Sequence, residues 1–114
     1  MVSWKSLDSV EKLEEIIALS SDPAIDGVAI FKHSTRCSIS SISLKRFETD
    51  YTANPKVPIY FLDLLRYRPI SNLVATTFDV EHESPQLLII KNGKCILHES
   101  HMEIRADMLN VKSA

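Results

Sequence analysis

The sequence predicts an α/β fold: one domain over residues 1–114, with a central mixed four-stranded sheet, helices on both faces and an additional N-terminal helix. Short apolar runs alternate with segments whose apolar residues recur at helical spacing. The last two apolar runs flank Asn92-Gly93, a pair typical of a two-residue hairpin turn. A chain of 114 residues, 45% of them hydrophobic, is large enough to bury one core.

The chain begins with a predicted helix and then a strand. Asp8 and Glu11 have the spacing of a capping box, and apolar residues at helical spacing follow to about Leu19. Residues 27–31, Gly-Val-Ala-Ile-Phe, form the short and nearly continuous apolar run of a strand that is buried on both faces. We therefore expect this strand near the centre of the sheet.

A polar turn over residues 32–37 leads into the second predicted helix, which covers about residues 38–48. Ser34 or Thr35 can act as its N-cap, because a side-chain oxygen there can accept from a free helical amide. Cys37 is then expected within the first helical turn.

The middle of the chain predicts a second strand and a third helix. Residues 57–62 are mostly apolar, but Pro58 has no amide proton, so we expect an edge strand. Pro69 suits the first turn of a helix, and apolar residues at helical spacing continue to Phe78.

The C-terminal third predicts a hairpin followed by a terminal helix. Residues 87–90 and 95–97 are the two apolar runs around the Asn-Gly turn. Ser100 and Glu103 form a second capping box, ahead of Ile104, Met108 and Val111 on one helical face.

Composition excludes several classes of function. Thirteen basic residues against fifteen acidic ones leave a net charge of -2, which disfavours nucleic acid as a partner. The sequence has no apolar run of the roughly 20 residues that a membrane-spanning helix needs, and the charged N-terminal region differs from a signal peptide. We therefore expect a cytoplasmic protein whose two cysteines are thiols.

Three segments carry a resemblance to a known family. Residues 31–40, Phe-Lys-His-Ser-Thr-Arg-Cys-Ser-Ile-Ser, together with Val57-Pro58 and residues 83–86, Glu-Ser-Pro-Gln, resemble the bacillithiol-system redox-active proteins. These are monothiol bacilliredoxins of the YtxJ type, bacterial members of the thioredoxin-like superfamily. The resemblance implies a thioredoxin-like fold with Cys37 as the nucleophile and Pro85 as a cis-proline facing it.

The same resemblance implies a reaction and its partners. Members of the family are thought to remove bacillithiol from mixed disulfides on other proteins, so S-thiolated proteins and a small thiol, with bacillithiol as co-substrate, are the expected partners. No tightly bound cofactor and no metal is expected. The position three after Cys37 is Ser40 rather than a second cysteine, and a hydroxyl cannot resolve a mixed disulfide.

Residues around Cys37 and Pro85 are candidates for stabilising the thiolate or binding substrate. A helix N-terminus favours negative charge, and the cationic Arg36, with His33 and Lys32, can add to that effect if the side chains turn toward the sulfur. Arg36 also suits the carboxylates of a small acidic thiol. The complete candidate set is Cys37 as nucleophile, with Arg36, Thr35, Ser38, Ser40, His33, Ser84 and Pro85 around it.

Alternatives remain for both cysteines. Cys37 can be a packed, inert thiol in a non-catalytic binding or stress-response module that uses the groove beside Pro85. Cys95 is expected to pack in the core, since alternate residues of a strand face opposite sides. Its functional alternatives are a distant resolving thiol and a metal ligand with His98 and His101.

Overall fold

The computed structural model describes residues 2–111. Five strands form one sheet in the spatial order β1-β3-β2-β4-β5. The strands are β1 (Lys5–Ser6), β2 (Val28–His33), β3 (Ile59–Asp63), β4 (Gln86–Lys91) and β5 (Lys94–Ser100). The helices are α1 (Val10–Ser20), α2 (Ser38–Asp50) and α3 (Arg68–Phe78), followed by two short 3₁₀ helices, His101–Glu103 and Ala106–Leu109.

The sheet is mixed, as predicted, but it has five strands rather than four. Strand β1 pairs in parallel with β3, and β3 with β2, whereas β4 is antiparallel to both β2 and β5. The prediction missed β1 because it contains only two residues, Lys5 and Ser6, and both are exposed. Helix α1 therefore follows a strand and is not an addition at the N-terminal end of the fold.

The position of β3 corrects a second prediction. Strand β3 lies between β1 and β2, so it is not an edge strand. Pro58 precedes the strand, and its carbonyl accepts a hydrogen bond from the Ala29 amide at 2.9 Å. The missing amide proton of Pro58 is therefore compatible with an internal β3.

Both faces of the sheet are covered, as expected. On one face, α1 and α3 pack Leu13, Ile16, Val74 and Phe78 against the sheet. On the other face, α2 and the second 3₁₀ helix contribute Phe47, Met108 and Leu109. Strand β2 is buried along its whole length because it contributes to both layers.

The predicted caps of the first helix are shifted by one residue. Ser9, rather than Asp8, is the N-cap of α1, and its hydroxyl accepts from the Lys12 amide at 3.2 Å. Serine and aspartate are both favourable N-cap residues, and Ser9 has the extended backbone that is typical of this position.

Among residues 2–111, no helix combines the length and apolarity needed to cross a membrane.

The hairpin prediction is confirmed, but the terminal helix prediction is wrong. Asn92 and Gly93 both have positive φ and connect β4 to β5. The expected helix is instead two short 3₁₀ helices separated by extended backbone at Ile104. Arg46 of α2 donates hydrogen bonds to the carbonyls of Met102 and Ile104, which a continuous α-helix would use internally.

A buried lysine lies on the α3 side of the sheet. The Lys32 side chain is fully buried, and its Nζ bonds to the Ser71 carbonyl at 3.3 Å and to Nδ1 of His82 at 3.2 Å. Burial away from water, with a smaller contribution from the charge of Arg68, lowers the pKa of Lys32 from 10.5 to about 8. The burial of this ammonium group therefore opposes folding while the group is charged.

This lysine predicts a specific dependence of stability on pH. Between pH 8 and 10.5 the unfolded chain binds more protons at Lys32 than the folded chain, so its contribution to stability rises with pH. Between pH 7 and pH 9.5 we expect the unfolding free energy of the wild type to rise relative to Lys32→Met by about 2 kcal/mol. Urea unfolding of both proteins at the two pH values measures this difference.

Lys45→Met is the matched control, because Lys45 is exposed on α2. Its unfolding free energy should follow that of the wild type across the same pH interval. Parallel pH profiles for the wild type and Lys32→Met would contradict the burial of a charged lysine at this position.

Candidate functional site

The candidate residues lie at one end of the sheet, where β2 and β3 finish and β4 begins. His33 is the register partner of Asp63, the last residue of β3. On the other side of β2, Lys32 pairs with Gln86, the first residue of β4. The loops after β2 and β3 and the segment before β4 are therefore neighbours in space.

Cys37 is the N-cap of α2, with extended backbone and a free, half-buried thiol. Its amide donates to the Ser34 carbonyl at 3.2 Å, and its carbonyl accepts from the Ser41 amide at 3.1 Å. The prediction that Ser34 or Thr35 caps this helix is wrong, because residues 34–37 form a turn that delays the first helical residue to Ser38. The Cys37 side chain makes no capping hydrogen bond.

Beneath this loop, His33 and Ser40 form a buried polar pair. The Ser40 hydroxyl lies 2.7 Å from Nδ1 of His33 and accepts from the Ser34 amide at 3.0 Å. Burial lowers the pKa of His33 below its ordinary value, although Asp63 and Ser40 act in the opposite direction. The ring is therefore neutral near pH 7, and the Ser40 hydroxyl can donate to Nδ1.

Ser40, His33 and Lys32 have different roles in the structure. Ser40 connects the end of β2, the loop and α2, so it organises the backbone that carries Cys37. Neutral His33 provides no positive charge for a thiolate. Lys32 is directed to α3 and His82 instead of toward α2.

Thr35, Arg36 and Ser38 are exposed around Cys37. Thr35 and Arg36 line a surface cleft of about 410 Å³, whose other wall comes from the loop after β3 and includes Arg66. Sequence reasoning missed Arg66 because thirty residues separate it from Arg36. Only the parallel register of β2 and β3 brings the two loops together.

Ser84 and Pro85 lie directly before β4, and the peptide bond between them is cis, the isomer expected from the resemblance. Pro85 is buried, and its carbonyl accepts from the His101 amide at 3.0 Å. Within residues 2–111, the buried Ser84 hydroxyl has no hydrogen-bond partner. Neighbouring Gln86 donates to the Glu81 carbonyl, but its side-chain oxygen is also unpartnered within that part of the chain.

Cys95 lies at the opposite end of the sheet. It pairs with Ile90, which in turn pairs with Val28 at the start of β2. The six residues from Val28 to His33 span roughly 16 Å, and Cys37 lies beyond them. Burial raises the pKa of the Cys95 thiol, which packs partly buried against the core, as expected.

The alternative of a metal site with His98 and His101 finds no support in the geometry. Over residues 2–111, no cluster of three or more histidine, cysteine, aspartate or glutamate side chains could hold a metal ion. His98 is exposed on β5, and His101 instead lies 3.5 Å from the carboxylate of Glu83.

Solved structures with the same fold include a thioredoxin-fold protein described as a candidate oxidoreductase, with 27% identity and a TM-score of 0.74 over 92% of this chain and 88% of that one. Thioredoxin from Malassezia sympodialis has 20% identity and a TM-score of 0.70, covering 96% of this chain and 87% of its own. Thioredoxin from Trypanosoma brucei brucei has 18% identity and a TM-score of 0.65, covering 92% of this chain and 80% of its own. The two thioredoxins show the fold alone.

The family is shown by a separate match. The family model described as monothiol bacilliredoxin BrxC matches residues 5–109, which include Cys37, Pro85 and every strand and α-helix of the fold. With its thioredoxin-like sheet and a cysteine at the start of α2, the chain belongs to the monothiol bacilliredoxins, a family of thioredoxin-fold oxidoreductases.

Proposed function

We propose that this protein is a monothiol oxidoreductase that removes a small thiol, with bacillithiol as the favoured candidate, from mixed disulfides on other proteins. The observation that carries the proposal is the setting of Cys37, a free thiol at the N-cap of α2. Three residues later, Ser40 occupies the place of a second cysteine and is committed to His33 and Ser34. This arrangement favours chemistry at a single sulfur.

The start of α2 places Cys37 beside free backbone amides. Helix α2 has thirteen residues, and its first amides have no intrahelical acceptors. The N-cap position is normally occupied by an oxygen that accepts from these amides, and a thiolate can accept in the same way. The start of α2 therefore suits a sulfur that takes part in thiol-disulfide exchange.

The reaction proceeds by two exchanges in this proposal. The Cys37 thiolate attacks the small-thiol sulfur of a protein mixed disulfide, forming a disulfide between Cys37 and the small thiol and releasing the protein thiolate, which takes a proton from water. A second small thiol, as its thiolate, then attacks the small-thiol sulfur of this adduct. The products are the small-thiol disulfide and the regenerated Cys37 thiolate, so one free small thiol is oxidised for each protein thiol that is released.

An external thiol is required for the second step because the chain offers no nearby internal one. Ser40 has a hydroxyl, which does not attack a disulfide. Cys95 lies at the other end of β2, roughly 16 Å beyond His33 along the sheet. A thiol pool at the required concentration is typical of a reducing compartment, so we propose a cytoplasmic location.

The segment before β4 is the proposed binding edge for the protein substrate. Ser84 and Pro85 lie at the same end of the sheet as the loop that carries Cys37. An extended substrate segment could pair with the backbone at Ser84 in the manner of an added strand.

The proposed function predicts which of the two cysteines reacts. Incubation with bacillithiol disulfide, and separately with glutathione disulfide, should add one small thiol per chain, because only Cys37 lies at a helix start. Intact mass followed by peptide mapping should locate the adduct on Cys37. Cys37→Ser should abolish the adduct.

Cys95→Ser is the matched control and should form the adduct at a rate within about twofold of the wild type, because Cys95 is packed against the core at the far end of the sheet. An adduct on Cys95, or an internal disulfide between the two cysteines, would contradict the monothiol mechanism. Retention of partner binding by Cys37→Ser, together with no adduct on the wild type, would favour a non-catalytic binding module.

A further prediction concerns Ser40, which supports the loop between β2 and α2. Ser40→Ala removes the hydroxyl that contacts His33 and accepts from the Ser34 amide, leaving two buried polar groups unsatisfied. We expect a loss of about 2 kcal/mol in unfolding free energy and slower adduct formation at Cys37. Urea unfolding and stopped-flow mixing with glutathione disulfide measure the two effects.

Ser41→Ala is the control, since Ser41 is exposed on the next position of α2. Its unfolding free energy should stay within about 0.5 kcal/mol of the wild type. Equal stability and equal reaction rates for the Ser40 and Ser41 variants would show that the buried pair does not support the loop.

A further inference from the structure

The segment between α3 and β4 is held by two side chains of the sheet. Lys32 of β2 and Gln86 of β4 are register partners, so their side chains lie next to each other on the same face. Lys32 Nζ lies 3.2 Å from Nδ1 of His82, and the Gln86 amide donates to the Glu81 carbonyl at 3.0 Å. Two consecutive residues of the segment are therefore tied to two neighbouring strands.

The bond between Lys32 and His82 connects the segment to the central strand. Lys32 Nζ also bonds to the Ser71 carbonyl at 3.3 Å, and the Ser71 hydroxyl lies 3.4 Å from Nδ1 of His82. Burial, with the charges of Lys32 and Arg68, lowers the pKa of His82 below its ordinary value, although Glu83 acts in the opposite direction. The ring is therefore neutral near pH 7, and its Nδ1 accepts from the Lys32 ammonium group.

This bond comes from a residue whose burial opposes folding. Lys32 is fully buried, and a charged group in such a position needs polar partners. A methionine at position 32 would fill similar space without that penalty, but it could not bond to His82. Lysine at this position therefore supplies a connection between β2 and the segment that an apolar core residue would lack.

The connection lies close to the proposed binding edge. His82 is two residues before Ser84, so the backbone at Ser84 lies within about 7 Å of the anchored residue. Beyond Ser84, the Pro85 carbonyl accepts from the His101 amide at 3.0 Å. The edge is therefore held on one side through His82 and on the other through His101.

We propose that His82, anchored by Lys32, is a positioning residue for the protein substrate, because it holds the backbone at Ser84 in the conformation that pairs with an extended substrate segment. The inference rests on the proposed function and goes beyond it by separating recognition of the polypeptide from the exchange at Cys37. A small disulfide without a peptide backbone does not use this edge, so its reaction with Cys37 does not depend on His82.

The test compares two disulfides that transfer the same small thiol. One is a short threonine-rich peptide, which favours extended backbone, with a single cysteine joined to mercaptoethanol. The other is hydroxyethyl disulfide, in which a second mercaptoethanol replaces the peptide. Attack by Cys37 on a mercaptoethanol sulfur gives the same adduct from both and releases either the peptide thiolate or mercaptoethanol thiolate. Intact mass at timed intervals therefore measures both reactions.

For His82→Leu we expect the peptide concentration that gives half the maximal rate to rise about tenfold. The maximal rate with the peptide and the rate with hydroxyethyl disulfide should stay within about twofold of the wild type. His82→Asn should bring the half-maximal concentration back to within about threefold of the wild type, because its side-chain oxygen can accept from Lys32.

His98→Leu is the matched control, since it removes an exposed histidine on β5. Its behaviour with both disulfides should stay within about twofold of the wild type. Lys32→Met removes the other partner of the bond and should also raise the half-maximal peptide concentration about tenfold.

The double variant, Lys32→Met with His82→Leu, should be no worse than either single variant, because both changes break one connection. Additive effects, no rescue by His82→Asn, equal slowing of both disulfides by His82→Leu, or an unchanged reaction with the peptide would each overturn the positioning role.

A binding measurement keeps this inference separate from the proposed reaction. The same peptide, with serine in place of its cysteine, is titrated into Cys37→Ser protein, and the backbone amide signal of Ser84 is followed by nuclear magnetic resonance. We expect His82→Leu to weaken this binding about tenfold. Absence of peptide binding overturns the role of His82, whereas unreactive Cys37 with binding that still depends on His82 overturns only the proposed exchange.

Discussion

The pairing of β2 with a parallel strand on one side and an antiparallel strand on the other is the constraint on which the site depends. The register His33–Asp63 brings together the loops after β2 and β3, and the register Lys32–Gln86 adds the segment before β4. Backbone hydrogen bonds between neighbouring strands hold these registers, and a slip of one residue would exchange the two faces of β2. All three segments around Cys37 are therefore positioned by one central strand.

The alternation of side chains at the end of β2 gives its two polar residues different tasks. His33 faces α2 and meets Ser40, whereas Lys32 faces α3 and bonds to Ser71 and His82. Burial lowers the pKa of both His33 and Lys32 and acts against their charged forms. Positive charge close to Cys37 therefore comes from the surface, at Arg36 and the N-terminus of α2, and not from beneath the loop.

Much of the fold follows from local patterns, and the errors have identifiable causes. The positions of the three α-helices, the central strand and the Asn92-Gly93 hairpin were predictable because each depends on residues close in sequence. Strand β1 was not predictable, because two polar residues carry no strand signal and only pairing with β3 orders them. The expected terminal helix is broken because Arg46, far away in sequence, binds the carbonyls of Met102 and Ile104.

The sequence alone determined which reactive groups the site contains. These are one cysteine after a polar turn, a serine instead of a second cysteine, and a proline before a strand. These features are contiguous in the chain, so local pattern and family resemblance can detect them. Tertiary structure decided that Ser40 supports the loop through His33, that Lys32 points away to α3, and that Arg66 joins Arg36 in one cleft. The physical reason is that strand register and the face on which a side chain lies are set by packing across the whole sheet, which no single segment of sequence contains.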